Sequence, residues 1–550
     1  MIGDLVADPR ARNTLFAGAA TLLAAGLDPK VWGPSVPSVQ EAIRASPDLE
    51  GFVLLAAVFG AILVLIGGAV GDLTRARPVV LIGLGFSIGA SVVCLAFPSG
   101  FLFSVARIVG VASSSFVFPV AFAMVATAYT GIARATAIGV AYAFFGLAQA
   151  IGPQLLVIIP DSRWPAFVAE IVACLVAMRI GWHRVPNLEQ PGRRERPYVL
   201  GTALWASAVV LLATGILWLG GGWDNPLRIG LVVAGLALLV VFFLWERRRR
   251  TNNPGEVKVD RRPVTIALFV GLIIAIAQTV PMVEMPLYFS VVLHFGPLFG
   301  IVAVAPLFIA LILAGPVAGV MLSRFAPRTL IGGGLVAVGI GNLVVALVIG
   351  RYTTYLAFIL PLVFIGAGFV IATTVRTAII FASVPRGMPA TAAALNEASI
   401  AVGTRVGIVL ATAIVATTAT AALDPLLAGQ SASAADAARA TFHDLLIALG
   451  LPSFASIART VQAADAGIYV EAYITGIRSA MFLGGVAAVV GGVLAWLLLG
   501  RGDPLATRGA DPMASVYSHR DEREGARTPQ IAPDAESAAN ASASRPASSA

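Results

Sequence analysis

From residue 13 to residue 499 the chain alternates long apolar runs with short polar ones. A helix needs about 20 apolar residues to cross the hydrocarbon core of a bilayer. On that rule the sequence predicts helices over 13–38, 50–71, 78–97, 101–128, 133–159 and 165–183. Two more are expected over 199–220 and 227–246, and six over 263–293, 297–322, 329–350, 354–381, 389–422 and 476–499. About fourteen spans make an all-α membrane protein with both termini on one side. Two stretches break the pattern. Residues 424–475 place Leu445, Leu446, Leu449 and Leu451 at helical spacing, which predicts one or two amphipathic helices in an external insert. Residues 501–550 are rich in Ala, Ser, Pro and charge and are expected to form a disordered tail.

Composition fits this reading. Of 550 residues, 58% are hydrophobic and only 12% charged, about half the charged share of a soluble domain. So little charge cannot cover a water-facing surface, and much of the chain must meet lipid. Cys94 and Cys174 lie in separate apolar runs, and His183, His294, His443 and His519 are far apart. No metal, cofactor or disulfide is expected from that distribution. The net charge of +8 gathers in alternate loops, as at Arg193, Arg194 and Arg196, and at Arg247 to Arg250 with Lys258, Arg261 and Arg262. That is the bias of cytoplasmic loops rather than a nucleic-acid surface. It predicts a multi-pass plasma-membrane protein with cytoplasmic termini.

The chain also repeats itself weakly. The stretch from Gly68 through Asp72, Arg75 and Arg77 to Pro78 follows the second predicted helix. The stretch from Gly319 through Ser323 and Arg324 to Pro327 and Arg328 follows the tenth. Each is a tight basic loop leading into a glycine-rich span, and two related halves are the mark of a repeat-built transporter. The expected organisation is a short cytoplasmic tail (1–12), a six-helix bundle (13–185), an inserted helix pair with basic linkers (186–262), a second six-helix bundle carrying the external insert (263–500), and the tail (501–550).

Over roughly residues 13–500 the sequence resembles the major facilitator superfamily, specifically its fourteen-helix drug/proton antiporter branch. Asp28 followed by Pro37 is similar to the branch's first-helix motif, and the Gly68–Arg77 loop to the superfamily's loop signature. Arg107 leading to Pro119 matches its arginine motif, and Ala148 to Pro153 resembles its antiporter motif. Met285-Pro286-Leu287-Tyr288, Pro306 and Gly315-Pro316 are also family-like. The resemblance implies two six-helix bundles plus two inserted helices, alternating access, and a helix bend at Gly152 and Pro153. It also implies a cytoplasmic gate in which Asp72, Arg75 and Arg77, with Gly68 and the second-half counterparts Arg324 and Arg328, hold the halves together.

An ionisable group near the bilayer centre costs about 2.5–3.5 kcal/mol on insertion scales and marks a functional position by default. Asp28, Lys30, Arg107, Glu170, Glu284, Glu397 and Arg405 meet that description. Asp28 adjoins Pro29, and Glu284 lies between Pro281 and Pro286, where a distorted helix frees backbone carbonyls. Glu170 is expected to be structural. The expected proton and substrate site is therefore Asp28, Arg107, Glu284, Glu397 and Arg405. Its cavity would be lined by Trp32, Tyr142, Phe145, Gln149, Met285 and Tyr288, soft surfaces suited to several lipophilic ligands. The expectation is a non-enzymatic exporter that exchanges amphipathic small molecules for protons and needs no oligomer. The alternatives are an exporter of a lipid, siderophore or other metabolite, and a non-transporting sensor on the same fold.

Overall fold

A computed structural model describes residues 5, 7–27, 63–72, 74, 76–97, 100–157, 164–184, a few positions from 204 to 212, then 226–252, 261–384, 388–428, 431–450 and 466–499. Among the described residues every regular element is a helix. The first bundle holds α1 (Pro9–Gly26), α2 (Leu63–Asp72), α3 (Ala76–Ala96), α4 (Gly100–Thr127), α5 (Gly131–Val157) and α6 (Trp164–Arg184). After α7 (Pro226–Asn252), the second bundle holds α8 (Arg261–Val291), α9 (Gly296–Val302), α10 (Ala305–Met321), α11 (Pro327–Val348), α12 (Leu356–Ser383) and α13 (Pro389–Leu426). The insert expected over 424–475 supplies α14 (Ala432–Gly450), and α15 (Ala466–Leu498) completes the bundle.

The helices start where local chemistry lets them. Pro9, Pro327 and Pro389 open α1, α11 and α13, where a missing N–H costs nothing. Asp8 caps α1, its Oδ1 accepting from the Arg10 amide at 2.8 Å. Among the described residues ten helices are long and apolar enough to cross a bilayer. The span expected over 297–322 is divided into α9 and α10, with Pro306 supplying no donor at the break. The last span begins at Ala466 rather than 476, because Tyr473 and Ile474 pack into the second bundle's core and carry the helix beyond its most apolar part. Most of the first inserted helix, most of the span expected over 50–71 and the tail expected over 501–550 lie outside the described residues.

The pairing of helices repeats. In the first bundle α1 packs on α4, α5 and α6, and α3 packs on α4 and α6. In the second, α8 packs on α12, α13 and α15, and α11 packs on α12 and α15. The two sets correspond one to one, which is the geometry of an internal duplication. The bundles meet along α5 with α10 and α12, and along α4 with α13. Gly139 of α5 and Gly315 of α10 touch backbone to backbone, and a Cβ on either would collide with the other's carbonyl oxygen. In lipid, where apolar surface gains nothing from leaving water, such close approach of small residues supplies the association energy.

Gly139→Leu should therefore separate the bundles and lower the melting temperature in detergent, with overpacking costing about 1–3 kcal/mol. Gly85→Ala, at a position with open space beside it, is the control and should be neutral. Equal shifts in the two variants would show that the α5–α10 contact does not hold the bundles together.

Candidate functional site

Where α5 meets α12 and α13, polar side chains replace the apolar packing. Tyr142 of α5 donates to Oε1 of Glu397 on α13 at 3.2 Å and sits 3.1 Å from Oγ1 of Thr377 on α12. Nδ2 of Asn396 donates to the Tyr142 oxygen and to Glu397 Oε1, each at 2.8 Å. Thr377 donates to Asn396 Oδ1 at 2.8 Å, which closes the network. Every member is buried. Phe122 tilts against the Tyr142 ring at 4.8 Å, so aromatic packing fixes the phenol while the hydrogen bonds aim it. Tyr142 belongs to the first bundle and its partners to the second, so this cluster ties the halves.

Beside it lies a wholly buried arginine that sequence reading passes over. Arg376 of α12 is 0% exposed and donates to Ala267 O on α8, Ser399 Oγ and Asn396 O on α13, at 3.2, 2.9 and 3.3 Å. Gly271 of α8 makes room for it, since a Cβ there would collide with the guanidinium. One cation thus joins three helices of the second bundle and holds the backbone that presents Asn396 and Glu397. The signal was present: Arg376 is a lone charge inside the apolar run 354–381.

The expected site residues fall into separate places. Glu397 and Tyr142 are brought together. Phe145 packs edge-on against Phe118 at 5.0 Å, and Gln149 is half-buried farther along α5. Glu284 lies inside the second bundle, its Oε2 accepting from Tyr473 of α15 at 3.2 Å. Met285 and Tyr288 are wholly buried in that bundle's core, the Tyr288 hydroxyl donating to Gly350 O at 2.6 Å. They do not line the junction of the halves. Arg107 is buried near the start of α4, over the Phe103 ring at 5.9 Å. Glu170 of α6 accepts from Ser87 and Ser91 of α3 within the first bundle. Gly152 and Pro153 sit in a helix that continues through Val157. Arg405 stands on α13, but its side chain lies outside the described residues, as do Asp28, Lys30, Trp32 and Arg75.

A second tie between the halves lies at the end of α2. The Asp72 carboxylate accepts from the amides of Ala390 and Thr391 at 2.7 and 2.8 Å, a cap on the first turn of α13 supplied by the other bundle. Burial pushes this carboxyl up to about 6 in spite of those donors. Gly68, one turn back, packs directly on Ala390 and Ala394. Arg77 stays within its own bundle, donating to Trp182 O and lying over that ring at 5.4 Å. Arg328 lies over Trp496 at 5.1 Å, and Arg324 is exposed.

Comparison with known proteins agrees with this architecture. The Major Facilitator Superfamily model matches residues 18–218 and 193–408. The chain is 30% identical to the puromycin resistance protein pur8 of Streptomyces alboniger over 456 residues, 80% of this chain and 88% of that protein. A triacylglyceride transporter of Mycolicibacterium hassiacum is 27% identical over 56% of this chain and 58% of its own length. The crystal structure of the human organic anion transporter MFSD10 superposes with a TM-score of 0.54 at 14% identity, over 89% of this chain and 100% of that one.

Interhelical hydrogen bonds in membranes contribute about 0.6–1.7 kcal/mol each. Tyr142→Phe removes those of the phenol and should part the bundles at the Asp72 side. Spin labels at Thr130 and Ser323, both exposed on that side, should report a longer mean distance than in the parent. An unchanged distribution would mean that the cluster does not hold the two halves.

Proposed function

The chain belongs to the major facilitator superfamily, and from that premise we propose that it exports amphipathic small molecules, drugs among them, in exchange for protons. The observation that carries this reading is the Glu397 carboxyl, buried at the junction of the halves and bonded to Tyr142 of the opposite bundle. A charged acceptor holds a donor more strongly than a neutral one. Ionised Glu397 therefore favours closure on the Asp72 side, and its protonation weakens that closure. With the Asp72 side cytoplasmic, a proton arriving from outside opens the protein inward. Loss of that proton to the cytoplasm then lets the substrate-loaded protein close again and face outward. That order is proton-for-substrate exchange, the direction an exporter needs.

Asp28, with Pro29 beside it, is proposed as a second proton or substrate group. Arg107 and Arg405 would stabilise ionised acids or anionic ligands. Asp72, with Arg75, would set the balance between the two conformations rather than the choice of substrate. Puromycin is a suitable probe because the relative named for resistance to it covers most of this chain.

A second reading, export of a lipid, is favoured by two observations. One is the resemblance to triacylglyceride transporters. The other is a groove of about 530 Å³ between α3 and α4, lined by apolar residues that include Ile82, Phe86, Leu102 and Val105.

The test is transport into proteoliposomes under an imposed pH gradient, with puromycin and a lipophilic cationic dye as probes. Glu397→Gln should reduce gradient-driven uptake at least about tenfold while preserving substrate-for-substrate exchange, since exchange needs no change of protonation. Undiminished gradient-driven uptake in that variant would sink the assignment. Asp28→Asn should abolish coupled uptake with expression intact, and undiminished uptake would remove Asp28 from the proton path. If the parent protein moves neither probe but transfers triacylglycerol, the lipid reading replaces the drug reading.

A further inference from the structure

The two halves carry the same side-chain pair at the same helix ends. Arg77 is the second residue of α3 and lies over Trp182, two residues before the end of α6. Arg328 is the second residue of α11 and lies over Trp496, two residues before the end of α15. The pairs α3–α6 and α11–α15 are equivalent in the duplicated fold. Asp72, the carboxylate nearest to Arg77 in sequence, is committed to the amides of α13. Among the described residues neither guanidinium has a carboxylate partner, and Nε of Arg328 is buried without an acceptor. Trp182 and Trp496 are 61% and 41% exposed, so both rings face outward at the ends of apolar spans. Arg77 also lines a crevice with Leu81 and Gly181.

We propose that these two Arg–Trp pairs are binding sites for the headgroups of anionic phospholipids, one in each half. A guanidinium offers a planar fork of donors that matches two phosphate oxygens. Tryptophan at this depth sits at headgroup level, its ring against the glycerol and upper acyl chain and its face held by the cation. Basic pockets between spans on the cytoplasmic side take anionic headgroups because that leaflet is negatively charged. The apolar surroundings select a lipid rather than a soluble phosphate. Val80 and Leu81 flank Arg77, while Val493 and Leu497 stand exposed one residue or one turn from Trp496.

The two sites sit on α3 and α6 and on α11 and α15, away from the Tyr142–Glu397 cluster, so the inference does not rest on the proposed function. The experiment is native mass spectrometry of the purified protein with phosphatidylglycerol or phosphatidylcholine, alongside melting temperatures in the same mixtures. The parent should retain phosphatidylglycerol in preference to phosphatidylcholine. Arg77→Gln and Arg328→Gln should each lose about half of the retained phosphatidylglycerol, and the double variant nearly all of it. Arg77→Lys, which keeps the charge but not the fork, should fall between parent and Arg77→Gln. If the arginines only staple helix ends, the double variant melts lower with or without lipid yet keeps the parent's preference for phosphatidylglycerol. That result overturns the proposal, as does a parent that does not distinguish the two lipids, or one stabilised equally by inorganic phosphate.

Discussion

A polar group inside a bilayer has no water to fall back on, so it must find its partner within the protein. The arrangement of this chain follows from that constraint more than from any single packing preference. Asn396, Glu397 and Thr377 belong to the second bundle, and the Tyr142 phenol from the first sits among them. Pulling the bundles apart at this level would expose a carboxyl, an amide and two hydroxyls to lipid or to a newly opened water path. Only the second is tolerable. The cluster thus does more than join the halves: it requires that any opening on this side also admit water, which is the behaviour of a transport pathway.

Of the remaining buried polar groups, Arg376 borders that cluster through the Asn396 carbonyl. Arg376 holds α8, α12 and α13 together through three acceptors, and Gly271 yields the space its guanidinium occupies. Glu284 with Tyr473, and Glu170 with Ser87 and Ser91, perform comparable joins inside one bundle each. Each of these joins ties two helices of the same half and none crosses between the halves. The close glycine contact of Gly139 with Gly315 lies on the surface between the halves, where backbone meets backbone without intervening side chains.

Much of this was legible in the sequence, for identifiable reasons. Apolar runs of sufficient length located the spans because crossing lipid sets a minimum length. Glu397 stood out as a charge in such a run. Arg376 satisfied the same rule, yet it follows the most apolar part of its helix, where one arginine among isoleucines and alanines is easy to pass over. Direction was harder. Met285 and Tyr288 were expected at the cavity and are buried in the second bundle, because α8 carries apolar residues on every face and its sequence does not say which face meets the other half. The break between α9 and α10 follows from Pro306, but Pro281 and Pro286 leave α8 continuous, so proline alone does not decide.

The duplication also explains why the ties converge on one helix. The halves repeat their helix pairings but not their ionisable groups: α4 and α12 have the same length, yet Arg107 lies near the start of one and Arg376 near the end of the other. The halves are thus two similar walls that carry unequal polar groups. On the proposed reading α13 is where that inequality becomes mechanism. Its first turn is capped by Asp72 of the opposite bundle, and about two turns on it presents Asn396 and Glu397 to Tyr142. A helix is stiff over two turns, so neither tie can be released while the other keeps its geometry. On that reading a proton taken up by Glu397 would bear on the Asp72 contact without any longer chain of side chains between them. In the proposed exchange that short lever is the physical link between protonation in the membrane and opening at the surface.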